Sequence, residues 1–118
     1  MSTVMIIDDS KTSRSILRNI LEENDYEVIA EAKNGQEGYE KYCELHPDIV
    51  TLDITMPVMD GIETLTKIRE YDDNAKIIMV TAAGQKGKML DAIKLGAAEF
   101  VTKPFETSQI ISILESIK

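Results

Sequence analysis

Cysteine occurs once in these 118 residues, so Cys43 has no partner for an internal disulfide. Long apolar runs are missing too: no stretch approaches the roughly 18 consecutive apolar residues that a membrane span requires. Met1-Ser2-Thr3-Val4 has neither the basic region nor the apolar run of a signal peptide, so the expected address is the cytoplasm, with no membrane contact. Positive charge is scarce: 13 basic against 21 acidic side chains leave a net charge of −8. Such a surface repels the phosphate backbone that supplies most nucleic-acid affinity, and nucleic acid is not an expected partner. No Pro-, Ser- or Gly-rich block divides the chain and no segment repeats. A two-domain enzyme is excluded by length, and 43% hydrophobic with 29% charged residues describe one soluble globule with one real core.

What is present is an alternation of short apolar, β-branched runs with longer segments whose apolar residues recur every three or four positions. The runs are Val4–Ile7, Val28–Ala30, Ile49–Leu52, Ile77–Val80 and Phe100–Val101. The first and fourth are apolar throughout and the third is apolar but for Thr51, as strands covered on both faces should be. Glu27 and Glu31 flank the second, which places it at an edge. Between the runs, Ile16, Leu17, Ile20 and Leu21 form one helical stripe, and Tyr39, Tyr42, Cys43 and Leu45 form another, opened by Asn34-Gly35. Ile62, Leu65 and Ile68 predict a third helix. Met89, Leu90 and Ile93 predict a fourth, stopped by Gly96 in the left-handed conformation. Ile110, Ile113, Leu114 and Ile117 predict a fifth, capped by Thr107 or Ser108. Right-handed crossovers then favour a flavodoxin-like (βα)5 fold, an α/β doubly wound parallel sheet of order 2-1-3-4-5.

Open parallel sheets build their sites beyond the carboxyl ends of the strands. Here strand one ends in Asp8-Asp9, strand three in Asp53, strand four in Thr81 and strand five in Lys103-Pro104. Asp8-Asp9 alone would also fit first-turn acids favoured by a helix dipole. Thr81 alone would fit a turn, and Lys103 a solvated loop charge. Together they read differently. Three carboxylates converging on one crevice repel one another and are relieved by a cation, and an all-oxygen donor set suits Mg2+ rather than zinc. A hydroxyl, an ammonium and a divalent ion around one carboxylate form the electrostatic setting of phosphoryl transfer, with Asp53 as nucleophile.

The stretches Ile6-Ile7-Asp8-Asp9-Ser10, Asp53-Ile54-Thr55-Met56-Pro57-Val58-Met59-Asp60-Gly61, Val80-Thr81-Ala82-Ala83 and Val101-Thr102-Lys103-Pro104-Phe105 resemble the receiver domains of two-component response regulators. The resemblance spans essentially the whole chain, 1–118, and no output domain is expected. It implies a signalling protein rather than an enzyme, whose only chemistry is its own phosphorylation and dephosphorylation. Asp53 would accept a phosphoryl group from a histidine kinase. Asp9 and Asp53 would bind Mg2+ directly, Asp8 largely through water, and the backbone carbonyl of Thr55 would be a further ligand. Thr81 and Lys103 would contact phosphoryl oxygens, and the Lys103-Pro104 bond would be cis.

Within that family the chain is similar to free-standing chemotaxis regulators of the CheY type. That likeness implies a monomer served by a CheA-like histidine kinase, with a flagellar motor switch protein or a phosphatase as partner. Phe100 stands where many chemotaxis members carry Tyr; with Thr81 it would form the switch, but it cannot donate a hydroxyl hydrogen bond. A phosphorelay intermediate remains open. An aspartyl-phosphate phosphohydrolase of the haloacid-dehalogenase kind is disfavoured, because Thr55 stands where that family places a second Asp and a cap domain is missing. A flavodoxin-like electron carrier is disfavoured because Asp8-Asp9 would repel flavin phosphate.

Other residues invite less. His46, in His46-Pro47-Asp48, precedes strand three at the far end from the acids and reads as a turn residue. Cys43 reads as a small core side chain. Met56 and Met59 flank Pro57 and read as shields of the site, Met59 alternatively as a surface contact. Lys86 and Lys88, with Gly84 and Gly87, read either as a solvated helix start or as a surface that reorganises when Thr81 moves.

Overall fold

Each apolar run is a strand, and each periodic segment is a helix, in a computed structural model that describes residues 2–56, 58–82 and 85–117. The order is β1 (Thr3–Ile7), α1 (Lys11–Glu23), β2 (Glu27–Ala32), α2 (Gly35–Leu45), β3 (Ile49–Asp53), α3 (Gly61–Tyr71), β4 (Ile77–Thr81), α4 (Lys86–Lys94), β5 (Glu99–Thr102) and α5 (Thr107–Ile117). All neighbours pair in parallel, in the expected order β2-β1-β3-β4-β5. Pleating divides the core. Val4 and Ile6 of β1 face Leu17, Leu21, Ile110 and Leu114 on one side, whereas Met5 and Ile7 join Tyr42, Leu65, Ile68 and Ala92 on the other. No helix among the described residues is long and apolar enough to cross a membrane.

The strands run past the apolar runs that announce them. Asp53 pairs with Val80 and Thr81 with Thr102, so these two polar residues are the last ladder positions of β3 and β4 rather than the first loop residues. Backbone pairing does not depend on side-chain polarity, which is why a hydrophobic run stops short of the strand. The consequence matters: both side chains hang from rigid backbone.

Capping follows the polar punctuation. The side chains of Ser10, Asn34 and Asp60 accept from the backbone N–H groups of Ser13, Glu37 and Glu63 at 3.2, 2.8 and 2.9 Å. Gly96 adopts φ +102, the left-handed stop expected of it. Two helix expectations need correction. The inward residue of α4 is Ala92, while Leu90 is 61% and Ile93 46% exposed. Ala92 takes the sheet-facing position, and at about 100° per residue its neighbours at 90 and 93 are rotated toward solvent. At α5, Thr107 is already helical, because the Ile110 N–H donates to the Glu106 carbonyl at 3.0 Å; the cap position is therefore Glu106, not Thr107 or Ser108.

One buried hydroxyl is unpaired. Thr51 Oγ1 in β3 has no hydrogen-bond partner among the described residues and faces Leu17, Ile78, Val80 and Leu114. Thr51→Val keeps the branched shape and removes the desolvated group, so it should stabilise the protein by about 1 kcal/mol. A higher urea midpoint at unchanged slope is the expected result, and a lower midpoint would show that the hydroxyl has a partner.

Candidate functional site

Asp8 follows β1, Asp53 ends β3, and Lys103 follows β5, so the parallel sheet delivers all three to one end. Asp8, Asp9 and Asp53 each offer a carboxylate oxygen, and these atoms lie within 4.8 Å of one another. Asp8 and Asp53 are buried, and Asp9 is exposed at the rim. Lys103 reaches in from the side: its Nζ is 3.0 Å from Asp8 Oδ2 and 3.5 Å from Asp53 Oδ2. Asp8 is positioned from several directions. Its N–H donates to the Ala32 carbonyl at 3.0 Å, its Oδ1 accepts from the Ser10 N–H at 2.9 Å, and its carbonyl accepts from the Arg14 guanidinium at 2.6 Å. The Lys103-Pro104 bond is cis, as the receiver resemblance implies.

The electrostatics show a site short of positive charge. Burial, and then the neighbouring Asp8 charge, push the Asp53 carboxyl up to about 6, against the opposing pull of Lys103 and the Thr55 N–H. Burial disfavours the Lys103 ammonium, yet the hydrogen bond to Asp8 and the charges of Asp53 and Asp8 outweigh it and hold the group above its usual range. One lysine is thus shared among acids that still repel each other.

Thr81 does not join this cluster. Its buried hydroxyl lies 2.9 Å from Gln85 Oε1 and 3.0 Å from the Ala82 carbonyl. Gln85 Oε1 also accepts from the Ala82 N–H at 3.2 Å, while its Nε2 donates to Thr55 Oγ1 at 2.7 Å. A glutamine just ahead of a helix carries no chemical signature of its own, so nothing in the sequence marks Gln85 for this role.

The remaining candidates fall into place around this site. Phe100 sits on β5 opposite Met79, half-buried against the core cluster to which Met79 belongs. Met56 and Met59 are both buried, which supports shielding and removes Met59 as a surface contact; the exposed apolar residue of that loop is Val58, at 81%. Val58 has φ 70, a left-handed conformation costly for a β-branched residue. His46 caps the end of α2 with φ 47 and lies 3.0 Å from the Tyr71 hydroxyl, at the opposite end of the sheet from the acids. Cys43 is half-buried rather than fully in the core. Lys88 and Gly87 are exposed; Pro57, Ala83, Gly84 and the Lys86 side chain lie outside the described residues.

A lysine-clamped acidic cluster beyond a 2-1-3-4-5 sheet is the arrangement that the receiver-domain resemblance implies. The sequence agrees: residues 4–115 match the response regulator receiver domain, and the chain belongs to that family. More particularly, it is a CheY-like receiver. It is 50% identical over 115 residues to the chemotaxis protein CheY of Listeria monocytogenes, a match covering 98% of this chain and 97% of the relative. It is 47% identical over 114 residues to the CheY of Thermotoga maritima, covering 97% and 95%. Among solved structures, the CheX-CheY-BeF3-Mg2+ complex from Borrelia burgdorferi contains a chain that superposes with a TM-score of 0.94 at 37% identity, covering 98% of this chain and 88% of that one. A protein of this kind signals; it is not a classical enzyme.

Proposed function

We propose that this protein is a chemotaxis switch activated by phosphorylation of Asp53. The observation that carries the proposal is the convergence of Lys103 Nζ on Asp8 and Asp53, at 3.0 and 3.5 Å, beside the exposed Asp9. A carboxylate oxygen of Asp53 forms a bond to phosphorus while the donor's bond to phosphorus breaks, its electron pair leaving with the donor histidine or with acetate. Lys103 neutralises one phosphoryl oxygen, and the Thr81 hydroxyl donates to another. Water attack on phosphorus later returns the carboxylate and releases inorganic phosphate.

The donor set also fits Mg2+: three carboxylates with all-oxygen chemistry, closely spaced, and one of them resisting ionisation because it is buried and lies beside Asp8. Asp8, Asp9, Asp53 and the Thr55 carbonyl would hold the ion. When bound, it would supply positive charge to the oxygens of the transferring group. The BeF3 and Mg2+ in the complex of the Borrelia relative support both parts of this reading. Partners follow by the same likeness: a CheA-like histidine kinase as donor, and a flagellar motor switch protein or a phosphatase that reads the phosphorylated face. Movement of Thr81 toward the phosphoryl group would free space for Phe100, and output would pass to the α4–β5–α5 face, where Lys88, Lys94 and Leu90 are exposed and Glu99 half-buried.

With acetyl phosphate and Mg2+, rapid quenching should show an intact mass higher by one phosphoryl group, and chelation of the metal should prevent it. Mg2+ binding alone is a second check. Because Asp53 takes a proton near pH 6, affinity should fall about tenfold per pH unit below that point. Asp9→Asn should weaken binding by roughly tenfold or more by removing a charged ligand. Calorimetric titration showing an unchanged constant for that variant would place the ion elsewhere.

A further inference from the structure

Four helices of this protein begin at Lys11, Gly35, Gly61 and Lys86, and the residue before each is Ser10, Asn34, Asp60 and Gln85. The first three turn their side chains onto their own helix; Gln85 makes no such bond. Its amide is spent across the site instead. Oε1 accepts from the Thr81 hydroxyl and from the Ala82 N–H, and Nε2 donates to Thr55 Oγ1. The Ala82 N–H settles which end of the amide is which, because a backbone donor needs an acceptor opposite it. The amide therefore ties the end of β4 to the loop after β3, with Thr81 on one side and the residue two after Asp53 on the other.

We propose that Gln85 is a latch that holds the switch off, a positioning residue that sets the balance between the unphosphorylated and phosphorylated arrangements by keeping the Thr81 hydroxyl bonded to its own side-chain amide. The inference rests on the reading of Asp53 as phosphoryl acceptor and of Thr81 as a donor to its oxygens. A threonine hydroxyl has one proton. In this structure that proton has Gln85 Oε1 and the Ala82 carbonyl as its acceptors, and it cannot serve either while serving a phosphoryl oxygen. Gripping the phosphoryl group thus costs the latch, and the protein binds it more weakly than the contacts at Asp53 and Lys103 alone would allow. Release has a second consequence. Gln85 directly precedes α4, so a freed amide can turn back toward the helix start, and the event at Thr81 reaches the element that exposes Leu90 and Ile93.

The test uses the full chain with beryllofluoride as phosphoryl mimic at saturating Mg2+, with dissociation constants measured by calorimetry. Gln85→Ala should bind the mimic roughly three- to tenfold more tightly, the equivalent of one or two neutral hydrogen bonds no longer broken. Its affinity for Mg2+ alone should stay within about twofold of wild type, since Gln85 bonds the Thr55 side chain and not the backbone carbonyl that would hold the ion. In a Thr81→Ala background, Gln85→Ala should change mimic affinity by less than about twofold, because the latch then has nothing to hold. Gln85→Glu keeps the acceptor for Thr81 and should not tighten binding. An unchanged or weakened Gln85→Ala, a loss of Mg2+ affinity in that variant, or the same tightening in the Thr81→Ala background would each overturn the latch. Failure of the underlying reading looks different: the wild-type protein itself would then bind no beryllofluoride, or bind it equally well as Asp53→Ala.

Discussion

Asp53→Asn is expected to take up no phosphoryl group from acetyl phosphate, and at the same time to be more stable than the wild-type protein at neutral pH. The first effect follows from the proposed role of Asp53, since an amide in its place has no carboxylate oxygen to form the bond to phosphorus. The second follows from the carboxyl held near 6 by burial and by Asp8, against an ordinary value of 3.8. A group whose folded value is raised lends stability that is complete below its unfolded value and is lost as pH rises through the folded one. Across those two pH units the loss is on the order of 3 kcal/mol, at about 1.4 kcal/mol per unit. Asparagine carries no charge to desolvate or to repel Asp8 and Asp9. Lys103 keeps Asp8 at 3.0 Å, so the substitution does not strand an ammonium. Urea unfolding with the metal chelated should show the variant ahead at pH 7 and level with wild type near pH 4. A variant that loses stability at pH 7 would mean that Asp53 and Lys103 attract more than Asp53 and Asp8 repel.

Gly61→Ala should damage both stability and the site, although residue 61 carries no functional group. A Cβ there would stand 2.2 Å from the Asp53 carbonyl oxygen and 2.6 Å from the Ile54 Cα. Both obstacles are backbone, so neither can swing aside, and the end of β3 must shift away from the start of α3. Overpacking of this kind costs about 1–3 kcal/mol or more, and the displaced segment carries the Asp53 carboxylate away from Lys103. Loss of mimic binding together with a lowered unfolding midpoint is the expected pair of results. Gly87→Ala is the matched control. Nothing lies within 4 Å of a Cβ at that exposed helical position, so alanine should add up to about 1 kcal/mol through helix propensity and leave the site intact. Equal behaviour of the two variants would show that the close approach at Gly61 is not a real constraint.

Much of this molecule was legible in the order of its residues. Five apolar runs, separated by helical periodicity, leave few arrangements once crossovers are right-handed, and a strand flanked by Glu27 and Glu31 belongs at an edge. Chemistry collected at strand ends because a parallel sheet brings all its carboxyl ends to one side, so Asp8, Asp9, Asp53 and Lys103 could be gathered before any distance was known. Even Gly96, with its φ of +102, was readable, since only a residue without a Cβ enters that region freely.

Tertiary structure alone decided matters that depend on which of several permitted partners a side chain takes. Leu90 and Ile93 have the spacing of a buried stripe, but α4 turns Ala92 to the sheet and leaves them in solvent, because rotation about a helix axis is set by what it packs against. Thr81 is placed by β4, whereas its hydroxyl is claimed by Gln85, a residue whose type says nothing about where its amide will reach. Asp53 is an acid in any sequence. That it resists ionisation until about pH 6 is a property of burial and of Asp8 held beside it, two facts that exist only once β1 and β3 lie together. Hydrophobic order along the chain determines the frame, because burial drives it and burial is written in residue type. The assignment of hydrogen bonds and charges within the frame was decided in three dimensions, because those energies depend on distance and on the exclusion of water.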